Sequence, residues 1–416
     1  MARAGERRSA VLTVEETLSF WARYAAFFRP LGITRFVVVS FFARLPIGTL
    51  GLATLLHVRE LTGSIAFAGS VVGAQLVAAA LMAPVLGRAI DTRGPALVLR
   101  ATAVIPAISI LFVLFAGPLQ LPRPLIVLAA VVTGAFIPPV TTIVRTIWRH
   151  RFENEQTRRT AFALDSVLIE LSFTVGPSLI AILVAIASPR DALILAWACT
   201  VAAVPLLYAS GGMAWWKNAP ASERHLLGPL RERELLVLYA STFMLTLSFG
   251  ALEVAYPGFA SERATDAWGP TLIAVNSVGS ALGGLAYGGL HLAMPVERQL
   301  PRFMSLLAVP VALHLFVDGP WAMAPLAFIA GLMIAPSMTG ATLLVSRHAP
   351  PAYVTEAFTW SATAIVTGVG SGMAIGGALI ERYGAKSAFA LAMAAALAGG
   401  SLALALRERG ATEEGK

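Results

Sequence analysis

Apolar residues in this chain do not alternate with polar ones. They come in long runs separated by short charged breaks. Residues 64–86, SIAFAGSVVGAQLVAAALMAPVL, contain no charge at all, and the stretch after them, 87–95, reads GRAIDTRGP. A run of about 18 or more apolar residues is a candidate membrane span. Twelve such runs are predicted, near 34–57, 64–86, 96–117, 124–147, 161–187, 191–212, 234–258, 267–290, 301–317, 321–345, 353–379 and 386–406. Transmembrane β-strands would alternate over about ten residues, and these runs do not. A helix satisfies all its backbone groups internally, so an all-α bundle of twelve transmembrane helices is the expected fold class.

Composition agrees. The 416 residues are 57% hydrophobic and 13% charged, against about 25% charged in soluble proteins. The net charge of +8 sits in short loops between apolar runs, which points to membrane topology rather than nucleic acid. With the N-terminus inside, Arg59, Arg123, Arg190, Arg263, Arg382 and Lys386 fall outside and Arg44 falls in the membrane. The remaining basic residues face the cytoplasm. Both termini are therefore expected to be cytoplasmic, in a multi-pass inner-membrane protein. The excess of arginine over lysine fits a GC-rich bacterial genome. One cysteine, Cys199, permits no disulfide within the chain.

The first 35 residues lack an early apolar segment of the signal-peptide kind. Residues 13–29 instead predict a short amphipathic helix on the inner surface. Thr13 and Glu16 have capping-box spacing, and Val14, Leu18, Trp21, Tyr24 and Phe28 recur at helical spacing.

The longest polar break between spans, 213–233, divides the chain. The expected organisation is an N-terminal segment 1–33, a six-helix bundle 34–212, a central loop 213–233, a second bundle 234–406 and a tail 407–416. The bundles echo each other. GAFIPP at 134–139 matches GLMIAP at 331–336, Ala161-Phe162 matches Ala357-Phe358, and Gly176 matches Gly372. Anchors in order at a near-constant offset point to duplication, and parallel repeats are one transporter design.

Twelve spans, this duplication and the loop after the second span resemble the major facilitator superfamily. That family carries there a glycine, an aspartate four residues on, and a glycine three beyond. Here these are Gly87, Asp91 and Gly94, with Arg88 and Arg93 supplying basic charge. Thr92 and Pro95 stand where the family has basic residues. The resemblance implies two pseudo-symmetric six-helix bundles. It also implies an inner gate in which Asp91 meets the start of the eleventh span. The alternative is a plain hydrated loop. The matching loop in the second half keeps Gly288 and Gly289 but has no aspartate, so a lopsided gate is expected. In the fifth span, SFTVGPSLIA keeps the Gly176-Pro177 of the family's drug–proton antiporters, with Gly372 and Gly376 as counterparts in the eleventh. These either form a flexible interface between halves or are ordinary small-residue packing. The antiporters' mid-span arginine of the fourth helix is missing; Arg145 lies near the inner end.

Ionisable residues within spans are costly and mark function by default. Arg44, Asp165, Glu170 and Glu253 are the candidates. Arg44 and Glu170 both lie about 15 Å deep at 1.5 Å per residue, so they are expected to interact, as a salt bridge or as a substrate or proton site. Asp165 is expected beside Arg158 and Arg159 as an inner contact. Glu253 has no obvious basic partner at its depth; Asn276 is placed to hydrogen-bond it, and it reads either as a proton carrier or as a hydrated residue near the outer surface, while Glu356 is expected to serve the start of the eleventh helix. By resemblance Phe41, Phe136 and Phe243 border the cavity. The expected function is proton-coupled export of a hydrophobic or amphiphilic small molecule, by a monomer with no cofactor beyond a proton gradient. Import of a nutrient or metabolite on the same fold is the alternative, and a non-transporting membrane sensor is the reading from another class. No HExxH, GxSxG or Walker motif argues for an enzyme.

Overall fold

The computed structural model describes residues 20–218, 225, 227–263 and 268–406. The expected helix start at Thr13 and Glu16 and the tail 407–416 lie outside them. Helix α1 (Phe20–Phe28) precedes the bundle. The first span is α2 (Ile33–Ala43) with α3 (Leu45–Thr62); α4 (Ile65–Arg93) and α5 (Pro95–Leu114) follow. The fourth is α6 (Arg123–Ala135) with α7 (Val140–Arg151), and α8 (Glu155–Ile186) and α9 (Pro189–Ala209) close the first half. The second half is α10 (Arg233–Ser261), α11 (Trp268–Gly289), α12 (Val296–Leu313), α13 (Pro320–His348), α14 (Val354–Tyr383) and α15 (Ala385–Ala403). No strand occurs among the described residues.

Eleven helical stretches are long and apolar enough to cross a membrane. The remaining expected span, α11, is 22 residues long but rich in glycine and serine. It packs along α13 and α8 in the position of a span. Large apolar side chains such as Leu81, Ile186 and Trp321 are exposed on the outside of the bundle, as lipid-facing residues must be.

Two spans are broken. The first breaks at Arg44, with Pro46 in the first turn of α3. The fourth breaks at Pro138-Pro139, because successive prolines supply no backbone N–H. The GRAIDTRGP stretch is not a loop. Helix α4 runs through it to Arg93, and the chain turns only at Gly94, whose φ is +79°. Gly87 serves close approach instead of a turn: a Cβ there would overlap Thr359.

The repeat anchors are all helix crossings. Gly134 lies against the backbone of Gln75 in the second span, and Gly331 lies against that of Asn276 in the eighth. Gly176 lies against Gly48 of the first span, and Gly372 against Leu247 and Ala251 of the seventh. The third pair meets itself: the rings of Phe162 and Phe358 are 6.1 Å apart. Equivalent residues that touch lie close to the axis relating the halves. Small residues let backbones approach where apolar lipid gives no hydrophobic drive.

Gly176, Gly372 and Gly376 therefore pack within each half and do not form an interface between halves. Gly376 abuts Val254 and Ala251 of α10. Helix α8 passes through Pro177 without interruption.

Leucine at Gly331 should abolish recovery of monodisperse protein, since the neighbouring atom is backbone. Leucine at Gly377, where a Cβ meets nothing within 4 Å, should leave it intact. Size-exclusion profiles of the two variants check this.

Candidate functional site

The inner end, where the central loop lies, is closed by contacts between the halves. At its centre is Asp91, 6% exposed. Helix α14 begins at Val354 with Tyr353 as its cap residue, and no side chain of its own satisfies the first turn. The first N–H groups of a helix have no partner inside it and attract negative charge. Asp91 supplies one from the other half: Oδ1 accepts from Thr355 N at 3.1 Å and Oδ2 from Glu356 N at 2.8 Å. Glu356, expected to serve this helix start, offers its backbone and turns its carboxylate toward Gly228. Arg88 donates from Nη2 to the carbonyl of His225 at 3.0 Å, and His225 N donates to the Tyr353 hydroxyl at 2.8 Å. Arg93 is exposed.

Further contacts surround this cap. Thr363 Oγ1 donates to the Ala80 carbonyl, Thr160 Oγ1 to that of Gly288 and Arg149 Nη2 to that of Ala349, at 2.8, 2.7 and 2.8 Å. Arg347 bridges Glu155 of the first half and Glu297 of the second. Glu297 holds Arg347 within the second half, so in these contacts the carboxylates that reach across the seam, Asp91 and Glu155, both come from the first half. Helix α1 spans the seam. Phe27 packs at a tilt against Trp148 and Phe152 of the first half, while Tyr24 donates to the Leu285 carbonyl at 2.8 Å and Arg23 to that of Gly289 at 3.3 Å.

The expected Arg44–Glu170 pair does not form. Arg44 instead contacts Asp165 through Nη2, and Arg145 Nε holds the other oxygen at 2.9 Å. Both Arg44 and Asp165 are fully buried. Arg158 and Arg159, the partners expected for Asp165, are not in this group. The expectation of a shared direction fails. Five residues along a helix turn two side chains about 140° apart, so Asp165 and Glu170 cannot face the same neighbour. The triad ties the first, fourth and fifth spans together. Arg44 Nε and Nη1 remain without hydrogen bonds, so Asp165 is the anion on which both guanidiniums depend.

Glu170 faces the other half. Its carboxyl lies within electrostatic range of Glu253, beside the hydroxyls of Ser277 and Ser280. The two glutamates are each partly buried, on α8 and α10. Asn276 does not pair with Glu253. Its Nδ2 donates to the Ala327 carbonyl of α13 at 2.9 Å. Phe41, Phe136 and Phe243 are half-buried.

Sequence reasoning missed Glu155, Glu297, Arg347 and the cross-half role of Tyr24. The pairs Arg347–Glu155 and Arg347–Glu297 lie 192 and 50 residues apart, and only the packed halves bring them together.

A family model described as the Major Facilitator Superfamily matches residues 36–309. No curated protein is matched by sequence. Among solved structures, a bacterial homologue of the iron transporter ferroportin in an outward-facing state superposes with a TM-score of 0.76, at 12% identity over 89% of this chain and 98% of that one. The human organic anion transporter MFSD10 (TETRAN) gives 0.70 at 16% identity, over 90% of this chain and 100% of that one. The proton:xylose symporter XylE gives 0.67 at 10%, over 88% and 94%. Similarity at these identities is a statement about fold.

Asp91→Asn should loosen the inner end. A charged cap is worth ~1–2 kcal/mol, or roughly 5- to 30-fold in the closed-to-open ratio. A cysteine replacing buried Thr359 should then react faster with an impermeant maleimide by about that factor. An unchanged rate would show that the cap does not hold the seam. Asp165→Asn leaves two buried arginines unpaired, at ~3–5 kcal/mol, and should lower the melting temperature in detergent more than Asp91→Asn does.

Proposed function

The chain belongs to the major facilitator superfamily of membrane transporters, and from that premise we propose that it exports a hydrophobic or amphiphilic small molecule in exchange for protons. It is a multi-pass membrane protein. The proposed orientation puts the central loop and both chain ends in the cytoplasm, because most basic residues flank the inner end. The two halves rock about a midplane site, so that it opens to one side at a time. In this scheme the Asp91 cap, the Arg347 bridge and helix α1 form the inner gate, closed while the outer side is accessible.

One observation supports proton coupling above all: Glu170 and Glu253, on opposite halves, lie within electrostatic range of each other. Intramembrane carboxylates mark ion and proton pathways. Two negative charges on opposing halves repel, and a proton on either removes that repulsion. Proton occupancy and the separation of the halves are then linked, as any two coupled equilibria are. Export is favoured over import by Gly176-Pro177, which resembles the fifth-span motif of the family's drug–proton antiporters. The Arg44–Asp165–Arg145 triad is a structural brace in this scheme and carries no substrate.

The test is transport in proteoliposomes under an imposed proton gradient, with fluorescent amphiphilic dyes as probes. Wild-type protein should move dye against its gradient. Glu170→Gln and Glu253→Gln should each cut gradient-driven transport at least tenfold while leaving folded yield unchanged. Uptake in the direction of the proton gradient would favour the importer. Full activity in both variants would remove the glutamates from coupling.

A further inference from the structure

We propose that Tyr256 and His314 are positioning residues for the proton on Glu253: His314 engages the hydroxyl hydrogen of Tyr256, so the phenol offers Glu253 its oxygen and not its hydrogen. The inference rests on the reading of Glu253 as a proton carrier and adds how the second half prepares it.

Tyr256 follows Glu253 by three residues on α10, so the two share one side of the helix. The phenol is 1% exposed and lies within electrostatic range of the Glu253 carboxyl. His314, at the end of α12, is fully buried. Its Nε2 lies 3.4 Å from the Tyr256 oxygen, and its Nδ1 lies 2.5 Å from the Pro310 carbonyl. A carbonyl only accepts, so Nδ1 carries a hydrogen. The ring packs on Phe389, with centroids 4.9 Å apart, and a buried imidazole turned to a carbonyl and a phenol is neutral. Nε2 is therefore an acceptor, and the Tyr256 O–H is the donor to it.

Asn276 of α11 completes the arrangement. Its Nδ2 donates to the Ala327 carbonyl at 2.9 Å, and its amide also hydrogen-bonds the Tyr256 oxygen. With the phenol hydrogen committed to His314, Asn276 is the donor there. The bonds run one way, from Asn276 through Tyr256 and His314 to Pro310. A hydroxyl held like this can accept from a protonated carboxyl and has nothing to donate to a carboxylate. Among the described residues, the titratable groups set against Glu253 are Glu170 of α8 and Tyr256, with His314 behind it. Helices α14 and α15 also pack on α10, and they bring Gly376 and Phe389 there. Tyr256, His314 and Asn276 all belong to the second half. The hydroxyl keeps its orientation as the halves rock, while Glu170 approaches and recedes.

The test is infrared titration of the full-length protein in liposomes. The carbonyl band of a protonated carboxyl that disappears in Glu253→Gln reports the Glu253 proton without any transport measurement. His314→Leu frees the Tyr256 hydrogen to turn to the carboxylate, and the band should reach half intensity about one pH unit lower than in wild-type protein, the size of one charge-assisted hydrogen bond. Tyr256→Phe loses an acceptor and gains no donor, and should move the midpoint about half as far. The double variant should match Tyr256→Phe alone, because no hydroxyl is left to turn. His314→Gln, whose amide oxygen can accept in place of Nε2, should stay near wild type. A purely structural role would instead add the two single effects. An unchanged midpoint in Tyr256→Phe, additive shifts in the double variant, or equal shifts in His314→Gln and His314→Leu would overturn the proposal. If no titrating band depends on Glu253, the proton-carrier reading itself fails and this inference with it.

Discussion

The closed inner end depends on an aspartate in one half capping a helix in the other. Helix α14 begins without a side-chain cap of its own, and Asp91 fills that need from across the seam at 2.8 and 3.1 Å. The exchange is reciprocal. The buried carboxylate gains two backbone donors, and the helix start gains negative charge. Gly87, one turn earlier, lets α4 approach α14 closely enough for the contact. The contacts across the seam are made by groups that water can satisfy once the halves separate, which is what the proposed inner gate requires.

Within each half the constraint is different. The halves hold their shape through glycine crossings whose neighbours are backbone, and these occupy the repeated positions: Gly134 and Gly331, Gly176 and Gly372. The residues that cannot grow are glycines at equivalent positions in both halves, while the polar chemistry around them differs. The first half carries the aspartate and the Arg44–Asp165–Arg145 brace. The second has neither and instead brings Glu297 to Arg347.

Much of this was legible in the chain itself. Bilayer thickness and run length expose the spans, and the Gly87–Asp91–Gly94 spacing exposes the gate because it is local. Arg44, Asp165, Glu170 and Glu253 were legible as buried charge, since an apolar run makes any charge conspicuous. Their partners were not. Depth along a helix follows from counting residues, but direction around it depends on packing, and a rotation of about 140° sent Arg44 to Asp165 and Glu170 to the other half. The Arg347 bridge was invisible for a further reason: its residues lie at helix ends rich in charge, where no single one stands out. The continuation of α4 through GRAIDTRGP was hidden by glycine and proline, which signal a turn but here provide close approach at Gly87 and the turn only at Gly94.

The central claim is that protons on the glutamate pair and closure at Asp91 are linked. Electron–electron resonance between spin labels at Arg93 and Arg233, both exposed at the inner end, reads that closure once Cys199 has been replaced. In wild-type protein the inner distance distribution should shift with pH, and Glu170→Gln or Glu253→Gln should remove that dependence while leaving one of the two distances populated. A pH-dependent shift that survives in both variants, or no shift in wild-type protein, would contradict the linkage.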